Sequence, residues 1–195
     1  DVSRVHSSHS NLMETIEEIA NNVGPEIWAK ADGSLSTNGM ELVTLPMSAR
    51  YHMEVFQWGE VEEILTYRNY TRTGPCGLHI HMSRDGLNTT QQIKLGLFWY
   101  SHRRFVEKFS RRNMGSYCRS KTLKRCIQDR KKFGEGKKYG LDSTQGSRHS
   151  MHFGAREGIE VRQFNGTYKA RTIRASIMFL EFLKEFVRGR GSTYV

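Results

Sequence analysis

Three short segments carry side chains that could do chemistry, at spacings that an extended backbone would place on one face. Met40 to Leu45 (MELVTL) carries Glu41. Cys76 to Ser83 (CGLHIHMS) carries His79 and His81, two residues apart and therefore on the same side of a strand. Gly158 to Phe164 (GIEVRQF) puts Glu160 and Arg162 on one face and Ile159, Val161 and Gln163 on the other. The wet face of an antiparallel sheet is polar as a rule, but Thr, Lys and Ser usually supply that polarity. Carboxylates combined with imidazoles suit a divalent cation, and carboxylate-rich sets suit Mg²⁺ or Mn²⁺. Arg162 beside Glu160 adds a guanidinium fork that matches phosphate. A His pair at this spacing is weak by itself; with two carboxylates on separate strands the signal strengthens.

The elements that must position these residues follow from periodicity and punctuation. Asn11 to Asn21 has Leu12, Ile16 and Ile19 at helical spacing and reads as a helix ended near Gly24-Pro25. Glu26 to Ala29 reads as a short strand, Asp32-Gly33-Ser34 as a turn, and Ala49 to Tyr67 as a helix. Thr89 to Arg112 reads as one long helix, with Ile93, Leu97, Tyr100, Phe105 and Phe109 along one side. A further short helix is expected over Ser120 to Gln128 and a glycine-rich basic loop over Lys131 to Gly146. Ser150 to Phe153 is a strand, and Arg171 to Arg188 an amphipathic helix burying Ile173, Ile177, Leu180 and Val187. The expectation is a single α+β domain over residues 1–195: an antiparallel sheet with helices packed on one side.

Composition narrows the function classes. The chain has 195 residues, 37% of them hydrophobic and 11% aromatic, enough to bury a core. The most apolar stretch, near Ile177 to Val187, is broken by Glu181, Lys184 and Glu185 and falls short of a membrane span. Three cysteines, an odd number, argue against a secreted disulfide framework. With no signal-peptide pattern at the N-terminus, a cytoplasmic location is expected. The chain opens with Asp1 and not Met, so its first residue is read as a processed end or the start of a fragment. Net charge is +10, and its distribution is uneven. His102 to Tyr139 holds 14 Lys and Arg against 3 acids, a net +11, while the rest of the chain nets −1. A block of this kind attracts polyanions, although a solvated helix face with a basic loop is the commoner meaning of a charge run. Gly134, Gly136 and Gly140 lie among lysines without P-loop spacing. Cys76, at a strand start, reads as a small buried residue before it reads as a nucleophile.

The segments DGSL (Asp32 to Leu35), MELVTLP (Met40 to Pro46), CGLHIHMS (Cys76 to Ser83) and IEVRQFNGT (Ile159 to Thr167) together resemble the amidoligases, relatives of gamma-glutamylcysteine ligase and glutamine synthetase. The resemblance covers roughly residues 26 to 187, with the four pieces in the family's order. It implies a curved antiparallel sheet of the glutamine synthetase type. It also implies an ATP- and Mg²⁺-dependent (or Mn²⁺-dependent) ligase that joins a carboxylate to an amine, a peptide or protein among the candidates, through an acyl phosphate. In that scheme Glu41 and Glu160 hold the metal, with His79 or His81 as a metal ligand or phosphate contact and Asp32 as a further acidic ligand. Arg162 neutralises charge on the transferred phosphoryl group, and Arg148 and His81 face the nucleotide. The family's first strand carries a Glu-x-Glu pair that this chain does not show; Glu14, Glu17 and Glu18 sit in a helical pattern instead.

Two other readings fit the same residues. One is an inactive amidoligase-like module that binds a polyanion or a larger assembly through residues 102–139. The other is a metal-dependent hydrolase using the same His and Glu set, although no HExxH helix is present. His149 and His152, three apart, would face opposite sides of a strand and rank low as ligands.

Overall fold

The structure, a computed structural model, describes residues 2–4, 9–31, 39–71, 76–115, 118–119, 149–155 and 158–189. The expected turn at Asp32 to Ser34, the helix over Ser120 to Gln128, the loop over Lys131 to Gly146, and Arg148 all lie outside these residues. The described chain is mixed α+β, with two small antiparallel sheets and six helices. It divides into two compact units. The first comprises Asp1–Leu78 with Asn165–Met178, the second His79–Phe164 with Phe179–Val195.

In the first unit, α1 (His9–Val23) turns Ile19 inward and leaves Glu14 and Glu17 at the surface. Arg68 binds Glu14 and Glu18 together, 2.9 and 2.8 Å from their carboxylates. Strands β2 (Ile27–Ala31) and β3 (Gly39–Thr44) pair antiparallel from Ile27 opposite Thr44 to Ala31 opposite Met40. The short β1 (Val2–Arg4) lies between β3 and β4 (Tyr70–Thr71), completing a four-stranded sheet in the order β2-β3-β1-β4. Ile19, Ile27, Met40, Val61 and Leu65 are its closed core.

The helix expected over Ala49 to Tyr67 is two helices, α2 (Ala49–Glu54) and α3 (Trp58–Tyr67). Phe56 and Trp58 are both buried, their rings 4.6 Å apart. A continuous helix would turn residues two apart to different faces, so the chain breaks to bury both.

The second unit holds the sheet β5-β7-β6, from β5 (Gly77–Met82), β6 (Met151–Ala155) and β7 (Gly158–Asn165). The first two residues of β5 and the last of β7 belong to the first unit. The long helix expected over Thr89 to Arg112 is also two, α4 (Thr89–Ser101) and α5 (Arg103–Ser110). At the junction the Ser101 hydroxyl donates to the Leu97 carbonyl at 2.6 Å, and the His102 ring sits 2.9 Å from the Phe98 carbonyl. Such local side-chain bonds compete with the helical ladder and bend it. Helix α4 starts at a capping box in which Asn88 and Gln91 bond each other's backbone N–H groups. It then clamps β6: Trp99 Nε1 donates to Ser150 Oγ at 2.6 Å, and the Tyr100 hydroxyl donates to the Met151 carbonyl at 2.9 Å. Helix α6 (Ala170–Arg188) spans both units; Leu180, Leu183 and Val187 are its buried residues in the second.

Candidate functional site

Strand β7 is the middle strand of its sheet and is buried nearly throughout. Ile159, Val161 and Phe164 meet the apolar demand of such a strand, but Glu160 and Gln163 are buried with them. The Gln163 amide nitrogen donates to Ser110 Oγ and to the Arg112 carbonyl, while its Oε1 has no hydrogen-bond partner among the described residues. Glu160 is the residue that needs a chemical explanation, because a carboxylate only 7% exposed must be paired or neutralised.

Its partner is two residues along the same face. Arg162 Nη2 lies 2.8 Å from Glu160 Oε1. The neighbouring strand β5 brings two imidazoles to that same oxygen, His79 Nδ1 at 3.8 Å and His81 Nε2 at 3.8 Å. From the other side β6 brings a third, His152, with Nδ1 3.8 Å from Oε2. At that distance none of the three is a hydrogen bond; they are ring nitrogens gathered around one carboxylate. Arg112 adds positive charge nearby, with Nη1 3.0 Å from the Arg162 carbonyl and 3.4 Å from that of Phe164.

Burial, and then the charges of Arg162 and Arg112 and the neighbouring His81, push the His79 ring down to about 3. It is therefore neutral at pH 7 and keeps a nitrogen lone pair for a ligand. The exposed groups are His81 and, in part, His79 and Arg162, whereas Glu160 and His152 form the closed floor. Two buried nitrogens of this cluster, Nε2 of His152 and Nε of Arg162, have no hydrogen-bond partner among the described residues.

Of the residues singled out in the sequence, His79, His81, Glu160 and Arg162 come together here. Glu41 lies on β3 in the first unit, paired in register with Lys30. Asp32 and Arg148 lie outside the described residues. Cys76 is buried, in keeping with its reading as a small packed residue.

His152 is the residue that sequence reasoning ranked too low. In β6 and β7, Ala155 pairs with Gly158, but His152 pairs with Glu160 and Met151 with Val161. Continued regularly from Ala155 and Gly158, the ladder would set Phe153 opposite Glu160 and turn His152 to the other face. One extra residue in β6 between these pairs shifts the register and reverses that face. Alternation alone gives no sign of a bulge.

A metal can be tested against this set. Among the described residues no group of three or more His, Cys, Asp and Glu side chains could hold a metal ion. Mg²⁺ commonly needs no such group, because one or two carboxylates, several waters and substrate phosphates share the ion. Glu160 fits as such a carboxylate, with Arg162 beside it for the phosphate.

Compared with protein-family models, curated proteins and solved structures, the chain matches none.

Proposed function

We propose that the second unit carries the phosphate-handling centre of an ATP-dependent carboxylate–amine ligase on a glutamine synthetase-like sheet. The observation that carries this reading is the closed carboxylate of Glu160, held by Arg162 at 2.8 Å and ringed by three imidazoles. The sequence resemblance supplies the reaction class. A substrate carboxylate oxygen attacks the γ-phosphorus of ATP as the bond to the β-phosphate oxygen breaks, giving an acyl phosphate and ADP. The amine nitrogen then attacks the acyl carbon, the carbon–oxygen bond to phosphate breaks, and the nitrogen loses a proton to solvent.

Phosphoryl transfer needs positioning and charge neutralisation more than covalent help from the protein. Arg162, partly exposed and fixed by Glu160, presents its remaining donors to the equatorial oxygens of the transferred group. His79, kept neutral, and His81 border the same face and contact phosphate. A Mg²⁺ or Mn²⁺ ion held through Glu160 would supply further neutralisation of phosphate charge.

The test is product identity. Incubation with ATP, Mg²⁺, a panel of carboxylates and hydroxylamine should yield ADP and hydroxamate, the trapped acyl phosphate. Both should fall in Glu160→Gln and Arg162→Ala. AMP with pyrophosphate would replace this mechanism with adenylation, and turnover unchanged in both variants would remove the site from it. Amide cleavage that needs metal but no ATP would favour a hydrolase.

A second reading rests on α5, where Arg103, Arg104 and Lys108, with Arg111 just past its end, are exposed and the acid Glu107 is engaged by Arg103 and the Met114 N–H. This is a binding surface for an acidic polymer or acidic protein partner, compatible with the ligase or replacing it.

A further inference from the structure

We infer that His152 is a positioning residue for Glu160: its Nδ1–H holds the second carboxylate oxygen so that the first is presented to Arg162 and the phosphate site. The inference deepens the ligase reading and rests on it for its functional part. Four observations carry it. The bulge in β6 pairs His152 in register with Glu160. Nδ1 lies 3.8 Å from Oε2, whereas the shortest approaches of Arg162 and the β5 imidazoles are to Oε1. His152 is 5% exposed, so water does not compete for that oxygen from its side. Its Nε2 has no hydrogen-bond partner among the described residues, and its Nδ1 lies 3.8 Å from Glu160 Oε2.

The arrangement has a physical purpose. A carboxylate held at one oxygen only can rotate about its terminal torsion, which is broad. A donor on the opposite oxygen fixes that torsion and leaves the outward lone pairs of Oε1 aimed at ligand. The 3.8 Å separation is longer than a hydrogen bond and must shorten when ligand binds, as catalytic contacts do. Supporting partners of this kind typically change metal affinity or activity by about 10- to 100-fold when removed.

Two measurements test it separately from the ligase reading. Long-range proton–nitrogen NMR of the wild-type imidazoles should show His152 carrying a proton on Nδ1, with a shift that changes in Glu160→Gln. Protonation at Nε2 alone, or a signal indifferent to Glu160→Gln, overturns the inference, and neither result needs ATP. The second is calorimetric binding of Mg²⁺-ATP to substituted chains. His152→Asn, which keeps an N–H near the Nδ1 position, should stay close to wild type. His152→Phe, which keeps a ring without a donor, should bind about 10- to 100-fold more weakly. Equal affinity in both variants, whether retained or lost, overturns the inference. A wild-type chain that shows no Mg²⁺-ATP binding refutes the ligase reading, and the NMR result then decides the role of His152 by itself.

Discussion

Glu160 gathers the chemistry of the second unit because a central strand gives a carboxylate no water to face. Replacing it by Gln keeps the shape and removes the charge that Arg162 answers. The expected cost is about 1 to 2 kcal/mol, since Arg162 is 29% exposed and partly screened. Urea unfolding of Glu160→Gln checks it. His79 supplies a second prediction. Its folded-state pKa is lowered to about 3 from the ordinary 6.5, so between those values the unfolded chain binds a proton that the folded chain refuses. Stability should therefore be full above pH 6.5 and fall with acid toward pH 3, by at most about 1.4 kcal/mol per pH unit from this group. His52, lowered by its own burial, acts in the same direction. Unfolding at a series of pH values should show a shallower acid decline in His79→Gln. At this scale much was legible in the sequence. The period of two put His79 with His81, and Glu160 with Arg162, on shared faces, and the structure brings all four together. His152 was not legible, because its side of the strand depends on a bulge.

Among the elements, the β6–β7 hairpin matters most, since its register decides which imidazole meets Glu160. Gly158 opens β7 with φ +138°, and a side chain there would run into the Met82 carbonyl of β5. Gly158→Ala should cost more than about 1 kcal/mol and also weaken Mg²⁺-ATP binding, because the strain falls on the strands that hold the site. Asn88→Ala provides the contrast. Losing that cap should cost about 1 kcal/mol and leave nucleotide affinity unchanged. Denaturant midpoints and calorimetry on the two variants check both halves. Strand positions were readable from alternation: β3, β5, β6 and β7 lie within a residue or two of expectation. The helix breaks were not readable, because they arise from contacts outside the local pattern. Phe56 and Trp58 are pulled into one core, and the Ser101 and His102 side chains take carbonyls near the end of α4. The division into two sheets depends in the same way on distant pairings, such as β1 between β3 and β4.

For the whole molecule, charge and burial divide the surface from the site. The excess of positive charge lies between residues 102 and 139, and its described part includes the exposed face of α5. Binding of a polyanion such as heparin to this segment should weaken steeply with salt, while a site built around the closed Glu160 should respond far less. Charge reversal at Arg104 and Lys108 should abolish the first and spare the second, which titrations at two salt concentrations would separate. No described helix is long and apolar enough to cross a membrane. The charge block was plain from composition, whereas its partner was not, since charge alone selects no particular polyanion. The central claim is that Glu160 and Arg162 form a nucleotide-phosphate centre. Calorimetry of ATP with and without Mg²⁺, on the wild-type chain and on Arg162→Ala, tests it most directly. The account predicts Mg²⁺-dependent binding that weakens by about 10-fold or more when the guanidinium is removed. Absence of binding, or equal affinity in the two chains, would contradict it.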